Sequence, residues 1–336
     1  YSLQKQYLND IPLPDTFSLE SSLFDQARVR YERMIRLREH FRCMPEIIQF
    51  SNNNFYDSEP LIPLRQFGAS RLKPIVTVQV EGGYREGNGP NPPEARAIVD
   101  KIKGMIADPA YNGKTMGVIS LVATSHQDKL IERLLLLEVG PEEMERRKLV
   151  CGDPYAFQGD ERDVMLLSLV AAPTETHMAS LTGARDEQRF NVAASRAKDQ
   201  EWLFHSVTLG DLLNPDSLRY KLLDYCLNPH LEPAPVEGLA FEGLKSQLAR
   251  RDKSKAIPPH PFESWFEVDV FLRIVERGYR AIPQFEIAGK RIDIVVEGMQ
   301  GKLAVECDGD VHHGPEQFEA DMGRQRMLER CGWTFW

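Results

Sequence analysis

FQGDERDVMLLSLV, Phe157 to Val170, and RFNVAASRAK, Arg189 to Lys198, together describe an apolar strand with polar residues gathered around it. So continuous an apolar run fits a strand buried on both faces, the kind found in parallel sheets covered by helices. Gln158, Glu161, Arg189 and Arg196 flank it and are expected to form an active-site wall. Alone, the first stretch fits equally well a buried strand with a polar lead-in loop. The chain has no G-x-x-x-x-G-K-[ST], so a nucleotide served by those arginines needs a phosphate-binding loop from elsewhere.

The surrounding sequence repeats the strand and helix alternation. IVTVQV (75–80) and MGVISLV (116–122) are expected strands, and Pro93–Ile106 and Gln127–Leu137 are expected amphipathic helices. Pro92 and Pro93 suit a first helical turn. A further helix is expected over Asn214–Tyr225. NPHLEPAPVEG (228–238) and RRDKSKAIPPHP (250–261) carry proline and charge without an apolar period, and a boundary is placed there. The last unit is expected to run as a helix over Glu263–Tyr279, strands RIDIVV (291–296) and KLAVEC (302–307), a helix near Phe318–Arg330 and a final strand. The expected organisation is a connecting segment over 1–30, an α/β domain over 31–226, a linker over 227–260 and a smaller α/β domain over 261–336.

Of 336 residues, 42% are hydrophobic and 27% charged, as in globular chains, and the net charge of -9 opposes coating nucleic acid by bulk electrostatics. The five cysteines are odd in number and lack C-x-x-C pairing, which disfavours a disulfide framework or zinc site and fits a reducing cytoplasm. No apolar run approaches the roughly 20 residues that span a bilayer, so no membrane partner is expected. The first and last residues, Tyr1 and Trp336, suggest a piece of a longer polypeptide.

LREHFRCMPEIIQFSNNNFY (37–56), SLVATSHQDKLIERL (120–134), FQGDERDV and RFNVAASRAK occur in the order of motifs in the second RecA-like domain of superfamily 1 helicases, which residues 30–206 resemble. The resemblance implies that Arg42 and Arg196 reach the γ-phosphate of ATP, that Phe41 stacks on the base, that Gln158 couples phosphate to domain movement and that Glu161 contacts the ribose. It also implies that the phosphate loop and magnesium-binding acid lie upstream of Tyr1, in a first RecA-like domain of the same polypeptide. Arginine suits such a role because its fork stays charged while phosphoryl oxygens gain charge. Phe41 stands where the family usually has tyrosine, Cys43-Met44-Pro45 replaces M-H-P, and Asp160 replaces a commoner arginine. Gly113-Lys114-Thr115 imitates the end of a phosphate loop, but a strand follows it instead of a helix N-terminus.

In the last unit, a two-residue turn at Met299-Gln300 would place Asp293 opposite Glu306, with Asp308 on the same face as Glu306. Carboxylates opposed at about 5 Å repel unless a cation lies between them. A few oxygen ligands suit Mg2+ or Mn2+ better than zinc. Taken singly, each acid equally fits a solvated face. The helical Glu267, Asp293 and the tail ECDGDVHHG, with Asp321 and Arg324, resemble the PD-(D/E)XK nuclease fold, especially the branch of the very short patch repair endonuclease, over 262–336. That resemblance implies Asp293 and Glu306 as metal ligands, Glu267 as a supporting acid and His313 as a proton-transfer group. Asp308 stands where the broader fold often has lysine, which leaves activation of the water to His312 or His313.

The expected fold is thus a RecA-like parallel sheet with helices on both faces, plus a smaller α/β restriction-endonuclease-like domain. The expected function is nucleic-acid translocation, on DNA, coupled to divalent-metal-dependent cleavage in repair or anti-phage defence. A non-catalytic docking module with vestigial sites is the alternative.

Overall fold

The structure is a computed structural model and describes residues 22–31, 34–175, 178–229, 241–250, 257–287, 290–307, 323 and 325–336. The chain divides into two compact units, residues 1–38 and 39–336. In the first, helix α1 spans Leu23–Arg30. No helix among the described residues is long and apolar enough to cross a membrane.

The second unit opens with β1 (Glu39–His40), helix α2 (Pro45–Phe55) and β2 (Ile62–Pro63), the two strands forming a short parallel ladder. Then follow β3 (Ile75–Gln79), α3 (Pro92–Ala107), β4 (Met116–Ser120), α4 (Gln127–Glu138), α5 (Pro141–Arg146) and β5 (Val150–Gly152). Next come β6 (Arg162–Ser168), α6 (Ala184–Ala193), β7 (Ala197–His205) and α7 (Leu218–Leu227). Strands β3 to β7 make an all-parallel sheet in the order β3-β7-β6-β4-β5.

The apolar run that decided the fold is β6, the middle strand of that sheet. Its successive side chains face opposite ways. Met165 and Leu167 pack with Ile47 of α2, Phe190 of α6 and Leu222 of α7. Val164 and Leu166 pack with Ile98 and Ile102 of α3 and Ile131 of α4. Both faces are therefore covered, as a RecA-like sheet requires. Asn91 caps α3 by accepting from the Glu94 amide, and Pro92 occupies its first turn. Buried Glu94 then accepts from Ser168 Oγ at 2.6 Å and the Val170 amide at 2.9 Å, tying α3 to the exit of β6.

The smaller α/β domain contains α9 (Trp265–Glu276), preceded by α8 (Phe241–Arg250), and the strands β8 (Arg280–Ile287), β9 (Lys290–Glu297), β10 (Lys302–Val305) and β11 (Thr334–Phe335). Its sheet runs β11-β10-β9-β8, antiparallel except for the β10–β11 pair. Leu244 of α8 and Val268, Phe271 and Leu272 of α9 cover one face with Ile294 and Val305. Ile282, Ile292, Val295, Leu328 and Trp333 form the other. The expected helix over 214–225 is shifted to Leu218–Leu227. Strand β8 was absent from the sequence expectation, because Pro283 cannot donate to a ladder; β8 accommodates it as an edge strand.

The β9–β10 turn touches the larger domain. Ala69 N–H donates to Gly298 O and Ser70 N–H to Met299 O, both at 3.0 Å. A Cβ on Gly68 would lie 2.3 Å from Met299 O, so only glycine permits the approach.

One buried acid gives the fold a pH signature. Glu201 of β7 is 2% exposed, its Oε2 has no hydrogen-bond partner among the described residues, and burial raises its pKa from 4.5 to about 8. The folded state holds this proton between pH 4.5 and about 8 while the unfolded chain releases it, so stability should fall as pH rises through that window. The slope is at most roughly 1.4 kcal/mol per pH unit. Urea denaturation of Glu201→Gln should lack this component, and an unchanged slope would contradict the assignment.

Candidate functional site

The arginine face is built at the entrances of β6 and β7. Phe41 and Arg42 follow β1, and Arg42 Nε donates to Glu161 Oε2 at 2.7 Å, joining the first and third sequence motifs. Arg42 Nη1 also donates to Ser195 O at 3.2 Å, in the turn that carries Arg196. Arg65 donates to Arg42 O at 2.7 Å and pairs with Asp199, whose other oxygen binds Lys114 Nζ at 2.6 Å. His40, Phe41, Arg42, Arg65, Glu161 and Lys198 line a cavity of about 590 Å³. An adjoining cavity of about 160 Å³ shares His40 and Arg42 and adds Tyr56, Asn191 and Arg196.

Two guanidinium groups thus stand side by side. Arg196 is held by main-chain oxygens, Val192 O at 3.1 Å and Asp160 O at 3.3 Å. Its pKa is lowered by burial first and by Arg42 second, the condition of a cation prepared for an anionic partner. Neighbouring His40 is pushed down to about 4, by burial and then by Arg42 and Arg196, with Glu161 opposing. Its Nε2 accepts the Cys43 amide at 3.1 Å, which a neutral ring alone can do.

The acidic site lies across β9 and β10. Ile294 pairs with Val305 in the observed register, and continuing the ladder by one residue sets Asp293 beside Glu306. Cys307 N–H donates to Asp293 Oδ2 at 2.7 Å. Glu267, at the start of α9, is 4% exposed and accepts from Gln284 Nε2 at 2.6 Å and the Glu263 amide at 3.1 Å. A mainly apolar cavity of about 270 Å³, lined by Phe266, Val270, Val305, Glu306, Cys307 and Trp336, opens beside Glu306. Among the described residues no three His, Cys, Asp or Glu side chains gather closely enough to hold a metal ion. The donor set is two opposed carboxylates, compatible with Mg2+ or Mn2+, which keep several waters and take one or two protein carboxylates.

The structure brings together Phe41, Arg42, Glu161 and Arg196, and separately Asp293 and Glu306. Gln158 lies exposed in the turn before Gly159, whose φ is +82°, and lines neither arginine-face cavity. Arg189 does not join the wall expected of it: it donates to Leu121 O at 3.0 Å and pairs with Asp186. Arg189 sits within α6, whereas Arg196 follows the turn after that helix ends at Ala193. Lys114 of the phosphate-loop imitation is engaged with Asp199, and β4 follows it. Asp308, His312, His313, Asp321 and Arg324 lie outside the described residues. Sequence reasoning missed His40, Arg65, Lys198 and Gln284. His40 and Lys198 lie within recognised motifs, whereas Arg65 and Gln284 carry no local signal.

The family described as an AAA domain matches residues 19–207, and the restriction-endonuclease family REase_MTES_1575 matches residues 266–336. A protein named uncharacterized ATP-dependent helicase MG140, from Mycoplasma genitalium, is 30% identical over 249 residues, covering 70% of this chain and 22% of that protein. Its homolog in Mycoplasma pneumoniae is 29% identical over 216 residues, 60% of this chain and 19% of that protein. The chain spans about a fifth of the length of these curated relatives. A solved structure described as the C-terminal domain of a possible DNA helicase from Lactobacillus plantarum aligns at 15% identity and a TM-score of 0.28, over 49% of this chain and 86% of its own.

The electrostatics of the arginine face can be checked directly. His40 ring signals in NMR spectra should stay flat from about pH 8 to about pH 5. A midpoint near the ordinary 6.5 would contradict the buried, arginine-flanked position.

Proposed function

This chain belongs to the AAA-domain family and carries a restriction-endonuclease-like segment behind that domain, and on that premise we propose that it is the C-terminal part of a superfamily 1 helicase-nuclease acting on DNA. The observation that carries the first half is the side-by-side placement of Arg42 and Arg196 on one open face. ATP is the substrate there, completed by an upstream RecA-like domain that supplies the phosphate loop and the magnesium-binding acid. Arg42, released from Glu161, and Arg196 stabilise charge growing on the terminal phosphate. Phe41, 51% exposed at the cavity edge, stacks on the base, and Glu161 turns to the ribose. Gln158, exposed in its turn, passes the phosphate state on to the moving domain.

The second half rests on the pairing of Asp293 with Glu306. These two carboxylates hold Mg2+ or Mn2+, with Glu267 steadying the site from α9 and Asp308 and His313 available from the following segment for support and proton transfer. A divalent ion bound there supplies Lewis-acid stabilisation to a phosphodiester under attack. The branch of the very short patch repair endonuclease is the nearest chemical type, and a motor joined to a cutting domain suits repair or defence against foreign DNA in the cytoplasm.

Two experiments test the halves separately. In a polypeptide that includes the upstream domain, Arg196→Ala should lower DNA-stimulated ATP turnover by about a thousand-fold or more. Turnover by the present chain alone that Arg196→Ala abolishes would overturn the shared-site assignment. With Mn2+ and supercoiled plasmid, the chain should give nicked or linear product, reduced about a hundred-fold or more by Asp293→Ala with Glu306→Ala. Unchanged cleavage by that variant would overturn the nuclease assignment.

A further inference from the structure

Gln284 occupies an unusual position in β8. Its φ is +50°, a left-handed value uncommon for a residue other than glycine and costly to hold in a strand. The ladder with β9 runs on both sides of it, Pro283 with Ile294 and Phe285 with Ile292, so its neighbour across the strands is Asp293. Asp293 in turn neighbours Glu306 on β10. Gln284, Asp293 and Glu306 therefore form one row across three strands.

The strained backbone redirects the side chain. Regular alternation would place Gln284 on the face of Ile282, which packs with Leu328 and Trp333. Instead its Nε2 donates at 2.6 Å to Glu267 on α9, which covers the opposite face. The residue is 4% exposed, and its carbonyl Oε1 is buried with no hydrogen-bond partner among the described residues. Such an orphaned acceptor is expensive unless a ligand or its water satisfies it.

We propose that Gln284 is a positioning residue of the acidic site: its Nε2 fixes Glu267, and its Oε1 accepts from, or ligates, the hydrated divalent cation held by Asp293 and Glu306. This rests on the nuclease reading above. It adds a third oxygen donor to a site where the described carboxylates supply two, and amide oxygen suits Mg2+ or Mn2+. It also accounts for why a non-glycine residue is kept in a left-handed conformation there.

Calorimetric titration of the full chain with Mn2+, alongside thermal melting with and without the ion, tests the role without relying on cleavage. Gln284→Met, similar in volume and lacking both polar ends, should weaken Mn2+ binding about ten-fold or more. Gln284→Glu keeps an oxygen and adds a charge but gives up the Nε2 donor to Glu267, so the metal-free protein should melt lower than wild type, while Mn2+, which offsets the opposed carboxylates, should bind more tightly and raise its melting midpoint by more. This second variant decides the matter should Gln284→Met fail to fold. Wild-type affinity in either folded variant, with wild type itself binding Mn2+, would overturn the role of Gln284 and leave the nuclease reading standing. Failure of wild type to bind Mn2+ would overturn both.

Discussion

The pairing register of β9 with β10 is the constraint on which the acidic site depends. Side chains alternate along a strand, so a slip of one residue would turn Asp293 or Glu306 to the other face and separate them. The Met299-Gln300 turn sets that register, Gly298 N–H closes it on Gly301 O at 2.8 Å, and the Cys307 amide on Asp293 extends it past the last ladder pair. The turn is also gripped from outside by Ala69 and Ser70, at a point where Gly68 alone fits. The register is thus fixed from both ends of the hairpin, and the two acids inherit their opposition from it.

The arginine face obeys a different constraint, the mutual proximity of like charges. Arg42 and Arg196 are kept together by a framework of acceptors: Glu161 and Ser195 O for the first, Val192 O and Asp160 O for the second. Burial and repulsion keep His40 neutral beside them. A face so arranged is electrostatically incomplete by itself and becomes favourable when an anion enters. In the proposed ATP site Glu161 is a placeholder, since the carboxylate that satisfies Arg42 in this state would yield it to phosphate oxygens.

The larger sheet was legible in the sequence because its strands are buried on both faces and its helices are amphipathic, so β3, β4, β6, α3 and α4 emerge from apolar periodicity alone. The hairpin was legible as well: the Lys302–Glu297 to Val305–Ile294 pairs follow the register expected from a turn at Met299-Gln300. Strand β8 was hidden because Pro283 interrupts its pattern, and with it went Gln284, whose place depends on a left-handed backbone that no local spacing announces. Arg65 was hidden for another reason: its meaning comes from Arg42 O and Asp199, which lie 23 and 134 residues away along the chain. Arg189 and Arg196 looked equivalent as neighbours in one motif, but helix α6 places the first against Leu121 and the turn after it delivers the second to the site.

The central claim is that this chain brings a complete oxygen-donor row of its own and lends its arginines to a partner domain. Anomalous diffraction from crystals of the chain grown with Mn2+ tests the first part most directly. The account predicts the strongest anomalous peak between the carboxylates of Asp293 and Glu306, within ligand distance of both. Strong peaks confined to other carboxylates, with none between these two, would contradict it.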